Sequence, residues 1–491
     1  MERGQGNAAR RVAVNTSLLV GADAVSKVTL LVLYAVMARE LGKDGFGVFT
    51  LAVSVSLFVE FAGLGTDLIL AREVARDADH VHGLFWNSIA IKIAIGIPAL
   101  AGVLGFSVAA GYTGDALLTI ALISIAKLLD VVSQTFAATF RGREEMRPPA
   151  TALTVQRLAI AFIGSFALIS LNAGVVAIGI VYVGSSVAAL AVLWWLLHRR
   201  EMRPRVEVSR ERGWWLAIVA LPAGIATFFG AALARVDALI LSLLTDHATV
   251  GLYGAAYRLF DGTLFLTWGF GLAIFPVLSR LDSESSPTLS TAFQLACKLI
   301  TAMLLPFGMV MALFGPLIVG TLYGHTFDGA AAATQLLGGA TFLYGPFAIA
   351  ALAAAARDRQ KWVLWVTGPG LAFNIALNFV LIPSMSLNGA ALAMTITQGL
   401  MAVAMIALVA QLTGALSLSR MFVGPTAAAL GMCAAALILG TGAVGFAVAC
   451  IAYLPLLLLT ERAFHPHDFG LLRSIAGSAR SAEVEVAASG V

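Results

Sequence analysis

Twelve ionisable side chains fall inside long apolar stretches of this 491-residue chain. The basic ones are Lys27, Lys92, Lys127, Arg157, Arg235, Arg258 and Lys298, and the acidic ones are Asp23, Glu60, Asp130, Asp237 and Asp261. A charge inside a bilayer costs at least ~2.5 to 3.5 kcal/mol, so each needs a partner, a wet cavity or a route to the membrane surface. Cations that face a wet cavity could hold an anionic ligand, since arginine gives bidentate hydrogen bonds to phosphate oxygens.

Structural roles could also account for several of these charges. Three pairs lie three or four residues apart, so each pair shares a helix face and could neutralise itself: Asp23/Lys27, Lys127/Asp130 and Arg258/Asp261. Three further cations lie only about eight residues inside their stretches, about 12 Å along a helix, so their long side chains could reach the headgroups instead of a cavity. These are Lys92, Arg157 and Lys298.

A functional role is easier to assign to two acidic residues, Asp237 and Glu60. Arg235 and Asp237 are two residues apart, so they face different sides of a helix and cannot simply cancel each other. Glu60 has no basic neighbour on its own helix, which makes it a candidate for proton or sodium coupling. The alternative for Glu60 is an ion pair with a neighbouring helix.

No enzyme motif is found. The seven histidines lie at loops or stretch ends, without the partners that a zinc site or a catalytic triad needs. The three cysteines, Cys297, Cys433 and Cys450, are dispersed within apolar stretches and match neither a disulfide framework nor a metal site. A Walker A motif is missing too. The sequence predicts no catalytic residues, no metal and no cofactor.

The elements that hold these charges are membrane helices. Hydrophobic residues make up 59% of the chain and charged residues 12%, against roughly 25% charged in soluble domains. Apolar runs of about 20 residues, enough to cross a ~30 Å hydrocarbon core, recur along the chain. We place about fourteen helices at 13–38, 46–66, 85–110, 115–140, 149–171, 173–198, 214–244, 249–278, 290–320, 330–356, 361–384, 388–412, 420–440 and 442–460.

The basic residues outside these helices predict the orientation. With the N-terminus inside, almost all loop arginines and lysines fall on the inner side, and only Arg39 and Lys43 fall on the outer side. A missed or false helix would invert every later loop and destroy this alternation. The charge pattern therefore supports about fourteen helices, with both termini in the cytoplasm.

The chain also contains a weak internal repeat. Three ordered anchors match, each pair separated by six helices: Gly47-Val48-Phe49 with Gly251-Leu252-Tyr253, Arg141-Gly142-Arg143 with Arg357-Asp358-Arg359, and Asn172-Ala173-Gly174 with Leu387-Asn388-Gly389. An even number of helices preserves orientation, which is typical of parallel repeats. We expect a six-helix lobe at 1–198, a basic cytoplasmic linker at 199–213, a second six-helix lobe at 214–412, two appended helices at 413–460 and a cytoplasmic tail at 461–491.

Several ordered segments resemble the polysaccharide and O-antigen flippases of the multidrug/oligosaccharidyl-lipid/polysaccharide exporter superfamily. They are ARELGKDGFGVF (38–49), LGTDLILAREVARD (64–77), RVDALIL (235–241), VGLYGAAYRL (250–259), LYG (322–324), NIALNFVLIP (374–383) and NGAALA (388–393). The resemblance covers roughly residues 10–410. It implies an all-α polytopic protein of a bacterial cytoplasmic membrane, with two six-helix lobes around a central cavity that opens alternately to each side.

The resemblance also implies a substrate, a polyprenyl-pyrophosphate-linked oligosaccharide of the undecaprenyl type, carried across the membrane for polysaccharide biosynthesis. A polysaccharide polymerase is a further expected partner, and nucleic acid is not expected. The predicted substrate-binding residues are Lys27, Arg258, Arg235 and Arg157, and the predicted ion-coupling residues are Glu60, Asp23, Asp237 and Asp261. Two alternatives stay open: a cation-coupled multidrug antiporter of the same superfamily, and a membrane-bound polysaccharide polymerase or ligase.

Overall fold

The structure is a computed structural model that describes residues 2–63, 65–77, 80–200, 204–281, 286–414 and 416–464. Side chains are described from Thr29 to Phe464, apart from residues 64, 78–80, 201–203, 276, 280–288 and 415. The described chain forms sixteen α-helices, two 3-10 helices and no β-strand. This confirms the predicted all-α class.

The helices follow one another with short connections. The α-helices are α1 (Glu2–Val55), α2 (Leu57–Glu60), α3 (Thr66–Arg76), α4 (His80–Ala109), α5 (Gly114–Gly142), α6 (Arg147–Leu171), α7 (Val175–Arg199), α8 (Arg210–Leu233), α9 (Val236–Leu244), α10 (His247–Leu281), α11 (Ser286–Tyr323), α12 (Ala331–Ala356), α13 (Gln360–Met385), α14 (Leu387–Thr413), α15 (Leu418–Leu439) and α16 (Ala443–Phe464). The 3-10 helices are Phe61–Gly63 and His325–Ala330.

Thirteen helical stretches of the described residues are long and apolar enough to cross a membrane. The first, Thr29–Arg76, begins within α1, and α1 alone has 54 residues, about 81 Å of helix, which is more than twice the ~30 Å hydrocarbon thickness. It is interrupted at Gly42, whose φ of 64° lies outside the helical region. Division at this point gives two crossings, so the described chain agrees with the prediction of about fourteen. The protein is a multi-pass membrane protein.

Two predicted helices are broken in ways that composition does not reveal. The helix predicted at 214–244 is two helices, α8 and α9, separated at Arg235, where φ is −131° and ψ is −19°. The helix predicted at 46–66 ends in the 3-10 turn Phe61–Gly63, and the polar segment after it forms the additional helix α3. Charged residues therefore lie at helix breaks in both regions.

The chain divides into two compact units: Met1–Phe265, Val319–Ala333 and Thr367–Met394 form the first, and Leu266–Ile318, Thr334–Val366 and Thr395–Val491 form the second. In the first unit, a buried apolar cluster that includes Phe85, Phe136 and Phe140 joins α3, α4, α5 and α7. This cluster fixes the helices that carry the polar residues of the same unit.

In the second unit, α15 and α16 pack against α11 through a separate apolar cluster around Phe314 and Met432. Lys298 on α11 is buried and donates to Glu461 on α16, with 2.8 Å between Nζ and Oε2. The alternative that Lys298 extends to the headgroups is therefore wrong. A carboxylate from a helix 163 residues later in the chain neutralises it inside the protein.

Candidate functional site

A polar cleft of about 500 Å³ opens in the first unit, between α2 with its 3-10 turn and helices α3, α5, α6 and α8. Its shape depends on Gly65, which has a φ of 70° and begins α3. A Cβ at this position would lie 3.0 Å from the Gly224 nitrogen and 3.1 Å from the Ala220 oxygen. Glycine therefore permits both the left-handed turn and the close approach of α8.

Five ionisable residues line the cleft. They are Glu60, Asp67, Lys127, Asp130 and Arg157. The neutral hydrogen-bonding groups of Ser133, Gln134, Gln156 and Thr227 lie among them. The structure thus brings together two of the predicted site residues, Glu60 and Arg157, with three charges outside the predicted site, Asp67, Lys127 and Asp130.

Glu60 and Lys127 form an ion pair across the cleft wall. Nζ of Lys127 lies 2.5 Å from Oε1 of Glu60, and the two side chains are 25% and 39% exposed, respectively. Glu60 therefore forms an ion pair with a neighbouring helix, which was the alternative to a coupling role. Both charges remain open to the cleft, unlike the charges of a sealed core.

Asp130, three residues after Lys127, is held by neutral groups. It accepts hydrogen bonds from Nε2 of Gln156 at 2.6 Å and from Oγ of Ser186 at 2.7 Å. These donors come from α6 and α7, so Asp130 links three helices. Glu60 and Asp130 therefore present two carboxylates with different partners to one cleft.

Lys92 reaches the same wall from α4 but is fully buried. Its Nζ donates to Oδ1 of Asp67 at 2.6 Å, to the Val131 carbonyl at 2.8 Å and to Oγ1 of Thr135 at 2.7 Å. The alternative that Lys92 extends to the headgroups is wrong. An ammonium has three donors, and three acceptors from α3 and α5 satisfy them inside the protein.

Arg157 lines the cleft from α6 and is half-buried. Among the side chains that the structure describes, no carboxylate forms an ion pair with it. An apolar wall lies on the 3-10 turn after α2 and on α8, where the Phe61 and Phe228 rings are 4.9 Å apart. The cleft thus combines a cation, hydrogen-bonding groups and an aromatic surface.

Asp237, a predicted coupling residue, lies in a second polar cluster of the first unit. It is buried in the first turn of α9 and accepts hydrogen bonds from the Tyr253 hydroxyl at 2.9 Å and from Nδ2 of Asn378 at 2.6 Å. Nδ2 of Asn378 also lies 3.0 Å from Oδ1 of Asn374. Neutral groups alone donate these bonds to a buried carboxylate.

Arg258 and Arg235 do not line the cleft. Arg258 is buried beneath aromatic rings, with its guanidinium 4.3 Å from the Tyr34 ring centre and 5.8 Å from the Phe49 ring centre. The predicted pairing with Asp261 is present at 4.0 Å. Arg235 lies over the Tyr257 ring at 5.6 Å, and both arginines border a narrow crevice beside α1.

Two predicted site residues, Asp23 and Lys27, lie outside the residues whose side chains the structure describes. Within the described ranges, no group of three or more His, Cys, Asp or Glu side chains could hold a metal ion.

Sequence reasoning gave no site role to Asp67, Gln156, Asn374 or Asn378. Asp67 follows the end of the predicted second helix, so it was not counted among the membrane charges. The spacing of Asn374 and Asn378 indicated a shared helix face, and the bond from Asn378 to Asp237 now gives that face a polar partner. The available sequence signal was Asp237 itself, a carboxylate in an apolar stretch whose nearest basic residue, Arg235, faces another side of the helix.

Comparison with known proteins gives a family and a fold. The model of a family described as "polysaccharide biosynthesis protein" matches residues 12–282. No curated protein sequence matches. Among solved structures, the lipid II flippase MurJ in an inward closed conformation aligns with a TM-score of 0.74 at 13% identity, covering 91% of this chain and 99% of that one.

Two transporters of the MATE family share the fold as well. An inward-facing multidrug resistance transporter of the MOP superfamily aligns with a TM-score of 0.66 at 16% identity, covering 78% of this chain and 97% of that one. The eukaryotic transporter AtDTX14 aligns with a TM-score of 0.60 at 14% identity, covering 82% and 96%. These findings confirm the resemblance carried by the segments at 38–49 and 64–77. The chain belongs to the polysaccharide biosynthesis protein family.

Proposed function

We propose that this protein is a membrane flippase that moves a polyprenyl-pyrophosphate-linked oligosaccharide from the cytoplasmic to the outer leaflet of a bacterial inner membrane. Family membership and the fold shared with the flippase MurJ support the transporter class. No bond is made or broken in this reaction. The predicted lobes at 1–198 and 214–412 would open the path alternately to each side.

The cleft carries the proposal, because its chemistry matches the three parts of such a substrate. Arg157 supplies a bidentate cation for pyrophosphate oxygens. Gln134 and Thr227 can exchange hydrogen bonds with sugar hydroxyls. The rings of Phe61 and Phe228 offer an apolar surface to a sugar face or to the first isoprene units.

The remaining predicted residues have defined places in this proposal. Lys27, Arg235 and Arg258 would extend the cationic path beyond the cleft. Asp237 is the strongest candidate for ion coupling, because it is buried and the hydrogen bonds from Tyr253 and Asn378 come from neutral donors. Asp23, Glu60 and Asp261 stay candidates for the same role.

The proposal is tested by the fate of the lipid-linked sugar when the protein is depleted. We expect polyprenyl-linked oligosaccharide to accumulate in the inner leaflet, measured by its protection from a membrane-impermeant lectin in right-side-out vesicles and its accessibility to the same lectin in everted vesicles. Arg157→Ala should reproduce the accumulation, and Arg157→Lys should restore part of the transport because it keeps a cation but loses the bidentate geometry.

Arg143 provides the matched control, since it is an exposed arginine beyond the end of α5 that does not line the cleft. Arg143→Ala should transport like the wild type. If depletion causes no accumulation, or if Arg157→Ala transports normally, the flippase assignment is wrong.

A cation-coupled drug antiporter is the second candidate, and one observation favours it. Three carboxylates line the cleft against two cations, a balance that suits a cationic ligand. Lys92 neutralises Asp67 from behind the wall, which removes this excess. Resistance to cationic drugs on expression, without accumulation of lipid-linked sugar on depletion, would support the antiporter.

A further inference from the structure

We propose that the Glu60 carboxylate takes the place of the substrate phosphate when the cleft is empty. It then forms an ion pair with Lys127, and the entering pyrophosphate displaces it from that lysine. This inference rests on the proposed function and names a second cation, Lys127, and a competing anion in the same site. It gives Glu60 a role different from ion coupling.

The geometry of the pair supports exchange. Lys127 and Glu60 are 2.5 Å apart, both line the cleft, and both remain partly exposed there. Glu60 lies on the last turn of the four-residue helix α2, immediately before the 3-10 turn, so its side chain is attached at a break in the helix. A carboxylate in this position can rotate into the cleft without leaving a buried charge behind.

The charges of the cleft make exchange favourable only for a suitable ligand. Lys127 with Glu60 is neutral overall, whereas Arg157 has no ion pair with a described carboxylate. A pyrophosphate carries about two negative charges, so it can bind Arg157 and take over Lys127 at the same time. A monoanion would gain only one of these cations, and a neutral sugar would gain neither.

Exchange has a direct consequence for transport. Glu60 lowers the affinity for the headgroup, because every binding event must first break an ion pair. The same carboxylate helps release, because Lys127 regains a partner when the headgroup leaves. A flippase needs release as much as binding, and an internal competitor promotes release without an external ion.

The test measures binding of farnesyl pyrophosphate to the purified full chain in detergent micelles. Glu60→Gln should bind the probe about two- to fivefold more tightly, the fold-change expected from the loss of a partly exposed ion pair. Lys127→Met should bind it about tenfold more weakly, as expected for loss of a hydrogen bond to a charged group. In the Lys127→Met background, Glu60→Gln should change the affinity by less than about 1.5-fold, since no cation remains to be freed.

Asp130→Asn is the matched control, because it removes an equal charge from the same cleft but from a carboxylate held by Gln156 and Ser186. Its effect on affinity should be the same with Lys127 present or replaced. Lys127→Arg, which keeps a cation, should retain the tightening by Glu60→Gln.

The outcomes separate this inference from the proposed function. If Arg157→Ala weakens binding but Glu60→Gln does not tighten it, or tightens it equally without Lys127, the exchange is refuted and the flippase assignment stands. If neither the wild type nor any variant binds farnesyl pyrophosphate, both are refuted. In proteoliposomes, exchange also requires that Glu60→Gln lowers the apparent KM and the maximal rate together, because release slows.

Discussion

Two lysine–carboxylate pairs lie on the walls of one cleft, yet their surroundings differ. Lys92 is fully buried and bonds to Asp67, a backbone carbonyl and the Thr135 hydroxyl. Lys127 is one quarter exposed, and its ion pair is with Glu60, itself 39% exposed. The first pair has every donor satisfied by protein, whereas the second has room to change partners.

Burial therefore separates two uses of an ion pair inside a membrane protein, one that stabilises the fold and one that can exchange its partner for a ligand. Removing one partner from a buried pair leaves an uncompensated charge in a medium of low dielectric constant, which is strongly unfavourable. An exposed pair can be replaced by water or by a ligand at small cost. The variants below test this division.

Lys92→Met should have the largest effect on stability. It leaves the Asp67 carboxylate and the Thr135 hydroxyl without their ammonium partner, so the free energy of unfolding should fall by about 3 to 5 kcal/mol. The measurement is the unfolding transition of the purified protein in detergent, followed by tryptophan fluorescence. The double variant Lys92→Met with Asp67→Leu should recover much of the loss, since it removes both charges together. If Lys92→Met is as stable as the wild type, the buried Lys92–Asp67 pair does not stabilise the fold.

Asp237→Asn should have an intermediate effect on stability, because this carboxylate is buried but is held by neutral donors. The amide keeps one oxygen to accept from Tyr253 or Asn378 and presents an NH₂ group toward the other, at a cost of about 1 to 3 kcal/mol. Its transport should respond more strongly, with loss of any dependence on a sodium or proton gradient. If gradient dependence survives in this variant while stability is normal, Asp237 is not the coupling residue.

Lys127→Met should lower stability by about 1 kcal/mol at most, as expected for a partly exposed pair. Its transport of lipid-linked sugar should nevertheless fall, because a cation is missing from the cleft. For Lys92→Met the order is different, because transport should be lost as a result of the loss of stability. A fall in stability as large as that of Lys92→Met would show that the two pairs do not differ in kind.

The helices were predictable because their signal is local. Each crossing needs about 20 apolar residues in sequence, and loop charges give an independent check of the count. The break at Arg235 was not predictable, because it interrupts a stretch that remains apolar on both sides, whereas the break at Gly42 lies in the polar loop predicted between the first two helices. A hydropathy window averages over a single residue with non-helical backbone angles.

The partners of the intramembrane charges were only partly predictable. Arg258 and Asp261 share one helix, and their pairing follows from spacing alone. Lys92 and Lys298 take partners from other helices, Asp67 and Glu461, and no spacing rule can select among distant carboxylates. Snorkelling appeared reasonable for both lysines because their depth along the helix was known and their neighbours were not.

Asp246 represents the fully exposed limit of the comparison and should give the smallest effect. It precedes α10, outside the membrane-spanning segments, and accepts a hydrogen bond from the Thr249 backbone N–H at 2.8 Å. This bond, with Lys43 and His247 nearby, lowers the pKa of the Asp246 carboxyl. Asp246→Asn keeps an acceptor for Thr249 and loses only the charge at the helix N-terminus, so stability at pH 7 should fall by about 0.3 to 0.5 kcal/mol.

The pH dependence of that small difference has a defined sign. A carboxyl whose pKa is lower in the folded protein stabilises the fold above its unfolded pKa of about 3.9, and the contribution disappears as the pH falls through the folded pKa. The difference in unfolding temperature between wild type and Asp246→Asn should therefore be present at pH 7 and shrink below about pH 4. A difference that grows with acidification would mean that Asp246 is held by something other than its charge, and exposed carboxylates of this protein, Glu60 included, could not be ranked by exposure alone.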